Sequence, residues 1–523
     1  MTTADGGTVR QPIPEGYLGA DARISSGPAP ALVEAGYAME LADAPLLHHG
    51  LGLADLAHVL ELYEAGVIPT EEVAVLLPTL LEMMDIPAEE FPYDVMYGDA
   101  YNSRERELER RLGSVAGWLH TGRTRREAGR IAFRLALRDR ILDLHEAVTG
   151  FLAAIAAQSA AHAGSVWADT TYLQPAQPST FGHYLGGFGE EAARHLDRLE
   201  QAFRWADRSP AGVGGVGGSR VPMDRVRLSN LLGFEAPGAH TRDAMWAVDG
   251  LADAVVAATQ AATTVDRLAE DLEIFASPSF GYVTLDASMC RASVLMPQKR
   301  NPYALAVIRS GAGTLIGRAT GLLVTQRTPS ARTDNWLHAY GEVVGALELA
   351  RKVVTLGAEV TRTLEVDRGA LAAVAGHSFT GATDLADELV LRHGLDYRSA
   401  YRVVGRAVAA AVESGRMSLT EEDLSHAATE LLGEPLLLGA SMKGGTETLR
   451  AVLDPERIVA TRTVLGGSAP ERVRDHSSSL TQRHDEATRW REEHRAHARQ
   501  AEVDLVAAAR ARTVESAAAA KNF

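Results

Sequence analysis

Apolar residues recur at helical spacing, with no proline, over five long stretches: Thr124 to about Gly164, 179–209, 238–277, 303–328, and about Leu337 to Leu371. Each stretch predicts a long α-helix. Read as one helix, the 238–277 element would span ~60 Å at a rise of ~1.5 Å per residue. It ends where Pro278 forbids continuation. Helices this long outsize the core of one chain and predict a bundle shared between subunits. No stretch shows the period-2 alternation with turn signals that a substantial sheet requires. Before the bundle, Ala31 to about Leu112 reads as short helical stretches broken at Gly50, Pro69, Pro78, Pro87 and Pro92. After about Gly376 the chain returns to shorter helices, and the segment from Arg472 reads as a solvated helix laced by i,i+4 ion pairs. The pattern predicts an all-α chain of three helical domains. These are an N-terminal domain over 1–123 whose first thirty residues form a loose arm, a central long-helix bundle over 124–375, and a C-terminal domain with a charged tail over 376–523.

Composition narrows the function. Of 523 residues, 46% are hydrophobic and 23% charged, an ordinary globular balance. The formal net charge of −16 argues against nucleic acid as a partner, since a polyanion needs a basic footprint. No apolar run approaches the ~18 residues of a membrane span, and the polar start has no signal-peptide core. Cys290 is the single cysteine, so there is neither a disulfide framework nor a cysteine-based zinc site. Together these features predict a cytoplasmic protein. The negative field opposes an anionic substrate, so any dicarboxylate must be met by locally clustered arginines, as in Arg123–Arg130.

The most informative segment is Ser293-Val-Leu-Met-Pro-Gln-Lys-Arg-Asn-Pro302, followed by Tyr303-Ala-Leu-Ala-Val-Ile-Arg309. It resembles the signature G-S-S-x-M-P-x-K-x-N-P of the fumarase/aspartase superfamily, most strongly in its argininosuccinate lyase branch. Trp118-Leu-His-Thr-Gly-Arg-Thr-Arg125 resembles that branch's L-H-T-G-R-S-R-N-D, and Thr171-Tyr-Leu-Gln-Pro-Ala-Gln-Pro178 its T-H-L-Q-x-A-Q-P. Phe280–Leu285 precedes the signature at the family's spacing, and Gly466-Gly-Ser-Ala-Pro-Glu-Arg-Val473 is similar to the branch's C-terminal G-G-T-A-P-x-x-V. The resemblance implies a homotetramer whose active sites each draw on three subunits, a small dicarboxylate substrate, and no metal or cofactor. It also implies anti elimination from a substituted succinate to give fumarate. A base removes the proton beside one carboxylate, an aci-carboxylate forms, and the group on the neighbouring carbon departs.

On this resemblance Ser293 is the base. A serine is too weak a base unless its oxyanion is stabilised by cations and amide donors in a closing loop. Lys299 and Arg291 are near enough in sequence to supply charge, and Gly281, Ala287, Ser288 and Ala292 keep the preceding run small. Lys299 and Asn301 match carboxylate-holding positions, as do Thr124, Arg125 and Thr171, and Met296 and Gln174 match neighbouring pocket positions.

The departures matter as much. A histidine of the branch, an acid or proton relay, is Tyr172 here, the glutamate that orients it is Ala306, and a further histidine position is Tyr101. Losing relay and orienter together suits a leaving group that needs no proton. Arg126 replaces the asparagine of S-R-N-D, and Arg332 lies in Pro329-Ser-Ala-Arg-Thr-Asp334 where the branch recognises arginine's amino-acid end. The first reading is therefore nitrosuccinate, releasing nitrite (or nitrous acid), with Arg126 and Arg332 serving the departing group. The alternatives are a C–N lyase acting on argininosuccinate or another N-substituted aspartate, a catalytically silent structural homologue, and, more distantly, a carboxymuconate-type cycloisomerase.

Overall fold

The structure, a computed structural model, describes residues 22–328, 330–436, 438 and 448–520. Most of the expected N-terminal arm lies outside the described residues. The architecture is all-α, and the strands form only two-stranded pieces among the described residues.

Five long helices run up and down as one bundle: Arg125–Ala161, Phe181–Ala206, Asp249–Phe275, Tyr303–Thr325 and Ala339–Arg362. Their buried faces share one core, in which Phe133, Leu196, Leu268, Leu305 and Leu347 are all at most 2% exposed. The helix expected over 238–277 is two helices, Thr241–Trp246 and Asp249–Phe275. The break at Ala247–Val248 has a tertiary cause. Arg130 donates to the Met245 carbonyl at 3.3 Å and Trp336 to the Trp246 carbonyl at 3.4 Å, so acceptors that would continue the helix are taken by side chains.

The N-terminal body packs on the bundle through the Ala44–Glu64 helix. Gly50 does not break that helix. It permits a close crossing, because a Cβ there would lie 2.7 Å from the Ala132 Cα. Pro78 likewise sits inside the continuous Thr70–Asp85 helix. A separate core joins Leu385, Leu389, Val403, Val404 and Leu424 in the short C-terminal helices.

The charged helix expected after Arg472 runs over 51 residues, Pro470–Ala520, and is laid back along the molecule with part of its surface packed. Leu480 and Ala487 enter the central core, while Leu505 and Ala509 enter the N-terminal one. Its arginines pair across elements: Arg483 with Asp197 at 2.6 Å, Arg495 with Asp143 at 2.6 Å, and Arg512 with Glu64 at 3.0 Å.

By length and composition alone the Arg125–Ala161 helix is long and apolar enough to cross a membrane. It serves as the central core helix, and it buries Arg130, Arg134 and Arg138.

Candidate active site

The candidate residues fall at the two ends of the bundle. At one end, Thr124 caps the Arg125–Ala161 helix by accepting from the Glu127 amide at 3.3 Å. Arg125 and Arg126 line a narrow cleft whose free space, counted out to solvent, is about 480 Å³. The Glu40, Asp43 and Asp99 carboxylates and the Tyr340 phenol line it too. Arg125 donates to Asp99 at 2.6 Å, and Arg126 faces Glu40 at 3.8 Å. Both cations that the sequence assigned to an anion are thus already facing carboxylates. Burial, with Glu40 beside it, pushes the Asp43 carboxyl up to about 6.

Tyr101 closes the base of the cleft, and its hydroxyl meets His120 Nδ1 at 3.2 Å. Burial raises its phenol well above the ordinary range, so it stays neutral. Beneath the helix start, Glu127 accepts from the Gly212 and Gly214 amides at 2.8 and 2.6 Å. Gly212 (φ +73°) and Gly214 (φ +62°) adopt the left-handed backbone that this close approach requires. Arg332 is exposed and does not line the cleft formed within one chain, whereas Arg126 does. The preceding residue, Ala331, has φ 62°.

At the other end, Thr171, Tyr172 and Gln174 form the tip of a hairpin, Val166–Thr171 against Gln174–Thr180. Tyr172 and Leu173 both have positive φ, 56° and 59°, and Tyr172 is 98% exposed. Two-residue turns of this kind prefer glycine or asparagine, so the tip holds local strain. The signature loop lies at the same end of the bundle. Arg291–Ala292 pairs with Arg300–Asn301, and Asn301 donates its side-chain N–H to the Arg291 carbonyl at 3.0 Å. Ser293 Oγ accepts from the Met296 amide at 3.0 Å and from the Leu295 amide at 3.4 Å. Met296 in turn accepts from the Lys299 amide at 3.1 Å. Arg291 lies 5.2 Å from the Tyr303 ring centroid. Val294 and Leu295 are fully exposed at the loop's crest.

These two groups cannot meet within one subunit. The 37-residue Arg125–Ala161 helix separates them by ~55 Å at ~1.5 Å per residue. The far end is fixed by Gln158, which donates to the Thr361 carbonyl at 3.0 Å, and by the pairing of Val283–Thr284 with Glu365–Val366 below the signature loop. The cleft's carboxylates, Glu40, Asp43 and Asp99, were missed in the sequence. They lie well before Arg125 along the chain and outside every motif.

Comparison with known proteins bears on the family and the fold. A family model described as Lyase matches residues 51–317, and one described as the argininosuccinate lyase C-terminal region matches 379–460. An argininosuccinate lyase from Methanoculleus marisnigri is 33% identical over 424 residues, 80% of this chain and 84% of its own. Argininosuccinate lyase 1 of Mesorhizobium japonicum is 33% identical over 456 residues, covering 86% and 94%. The solved structure of an EDDS lyase variant with bound fumarate superposes with a TM-score of 0.81 at 26% identity, covering 94% of this chain and 97% of that one. A class II fumarase from Schistosoma mansoni shares the fold, with a TM-score of 0.63 at 15% identity over 74% and 88%. The chain belongs to the fumarase/aspartase superfamily of fumarate-releasing lyases, in its argininosuccinate lyase branch.

Proposed function

We propose that the protein is a C–N lyase that cleaves an N-substituted aspartate into fumarate and an amine, with its site assembled between subunits of a homotetramer. The observation that carries this reading is the charge of the cleft. Asp99 and Glu40 already face Arg125 and Arg126, and the Asp43 carboxyl lines the same cleft. Such a wall suits a cationic amine far better than a small departing anion such as nitrite.

This wall also accounts for the missing acid relay. A nitrogen that departs from an already protonated ammonium takes the C–N electron pair and leaves as a neutral amine, with no proton donor required. Carboxylates near the departing group keep it protonated beforehand. Tyr172 in place of a histidine and Ala306 in place of its orienting glutamate are consistent with that chemistry.

Ser293 is the proposed base. The Leu295 and Met296 amides already point at its Oγ, the donor arrangement that stabilises a serine oxyanion. Lys299, Asn301, Thr124, Arg125 and Thr171 are the proposed carboxylate contacts. Assembly is supported by the separation of the two residue groups. It is supported further by the helix Tyr303–Thr325, which leaves Val307, Ile316, Leu323 and Val324 40–54% exposed on one chain.

The relatives add weight, being argininosuccinate lyases by sequence and an EDDS lyase by fold. Nitrosuccinate is a second reading, favoured by tyrosines at the two histidine positions, Tyr172 and Tyr101, and by Ala306 in place of the orienting glutamate. The deciding experiment supplies argininosuccinate, other N-substituted aspartates and nitrosuccinate to the purified protein, and quantifies fumarate, amine and nitrite. Equimolar fumarate and amine is the expected result. Nitrite release without amine release would overturn the proposal.

A further inference from the structure

Four cations lie in and just after the signature loop: Arg291, Lys299, Arg300 and Arg309. Two are engaged. Arg309 meets Asp266, Glu270 and Glu273 at 3.7, 3.4 and 3.1 Å, and Arg300 donates to the Leu285 carbonyl. Arg291 and Lys299 are exposed, and neither side chain has an ion-pair or hydrogen-bond partner among the described residues. Lys299 is already proposed for a substrate carboxylate, which leaves the Arg291 charge without a use. Its guanidinium rests 5.2 Å from the Tyr303 ring centroid, a contact that holds an exposed cation only weakly.

The Arg291 backbone is fixed while its side chain is not. Arg291–Ala292 pairs with Arg300–Asn301, and the Asn301 side chain donates to the Arg291 carbonyl at 3.0 Å. Ser293 follows two residues on. Side chains two apart on extended backbone project to one face, with Cα atoms ~6.6 Å apart at ~3.3 Å per residue. An arginine side chain spans that gap, so the guanidinium can leave the Tyr303 ring for the Ser293 Oγ. A neutral hydroxyl has two acceptor positions, and the Met296 and Leu295 amides point at them. Loss of the hydroxyl proton opens a third position and adds a full negative charge, and both amide donors are neutral.

Resting on the elimination reading with Ser293 as base, we propose that Arg291 is a catalytic residue that pairs with the Ser293 oxyanion, parked over Tyr303 until that charge forms. Ser293 loses its proton to solvent, and the Arg291 guanidinium donates to the oxyanion as its third partner. The oxyanion then takes the proton from the carbon beside the substrate carboxylate, and the C–H electron pair moves into that carboxylate to give the aci-carboxylate. Ser293 is a hydroxyl again, and Arg291 is released. Stabilising the oxyanion raises its population more than it weakens the base, because the proton is only partly transferred in the transition state.

The test compares wild type with Arg291→Gln and Arg291→Lys. Fumarate release from argininosuccinate and from nitrosuccinate gives kcat. A second readout needs no turnover: the rate at which methanesulfonyl fluoride sulfonylates Ser293, followed by mass spectrometry with Ser293→Ala as the blank. Arg291→Gln should lower kcat about a hundredfold to a thousandfold, the worth of one oxyanion donor, and should slow the labelling in parallel. Arg291→Lys, which keeps the charge, should recover most of both losses. Fumarate affinity and melting temperature should stay at wild-type values in both variants. Labelling of Ser293 at the wild-type rate in Arg291→Gln would overturn the proposal. So would a loss of fumarate affinity or of melting temperature that matches the loss of turnover, which would make Arg291 a carboxylate contact or a prop for the loop. If wild type releases nitrite and no amine while the labelling still depends on Arg291, the C–N lyase reading fails and the role of Arg291 stands.

Discussion

Replacing Glu127 with glutamine removes a titratable charge from beneath the start of the Arg125–Ala161 helix. The carboxyl is 1% exposed and accepts from the Gly212 and Gly214 amides. Burial pushes it from the usual 4.5 up to about 7, against the pull of those two amides and of Arg123. Between these values the folded protein holds a proton that the unfolded chain releases. The stability this group confers is therefore full below the unfolded value and declines as pH rises to about 7. The decline amounts to about 3 kcal/mol, since each tenfold change in proton affinity is worth ~1.4 kcal/mol. Glutamine has no such slope. It keeps one acceptor oxygen but turns an N–H2 toward the second glycine amide, a pH-independent cost of about 1–3 kcal/mol. Wild type should be clearly more stable than Glu127→Gln at about pH 5, and the advantage should vanish or reverse at about pH 8. Melting temperatures at fixed protein concentration measure this directly. A gap that stays constant across that range would place the Glu127 carboxyl at its ordinary value and rule out this coupling of burial to stability.

Two further outcomes follow from the same geometry. Asp43 titrates at about 6, so the apparent affinity for an amine-bearing substrate should weaken as pH falls through that value, and Asp43→Asn should remove this dependence; KM profiles of both proteins check it. Leu505 is 1% exposed where the long C-terminal helix meets the N-terminal core, so Leu505→Ala should cost about 2–5 kcal/mol, read as a lowered melting temperature, whereas a freely solvated tail would show no change.

The long helices were legible because proline is absent and apolar residues recur on one face, a signal that needs no partner to read. Elsewhere long-range contacts decided. Nothing in Trp246-Ala-Val-Asp249 marks a helix end, since the break depends on Arg130 and Trp336, which are distant in sequence. The Pro470–Ala520 helix looked solvated because its charges dominate the pattern. Its arginines reach acids on other helices, and a sparse stripe of Leu480, Ala487, Leu505 and Ala509 supplies the packing. At the candidate site, the signature loop and the Thr124–Arg125 helix start were readable as motifs. The acidic wall was not, because Glu40, Asp43 and Asp99 acquire meaning only when folding sets them against Arg125 and Arg126. Arg332, assigned to the site from its place in a motif, is exposed and lies outside the cleft formed within one chain.

If one end of the bundle supplies the base and the other supplies the arginine cleft, from different subunits, then mixing subunits tests the shared site directly. Ser293→Ala and Arg125→Ala homomers should each be inactive and fully assembled. Unfolding and reassembling the two together should restore fumarate release at about a quarter of the sites, as random pairing of intact ends requires. A mixed assembly as inactive as its parents, or a wild-type monomer that turns over substrate in dilute solution, would contradict a site shared between subunits.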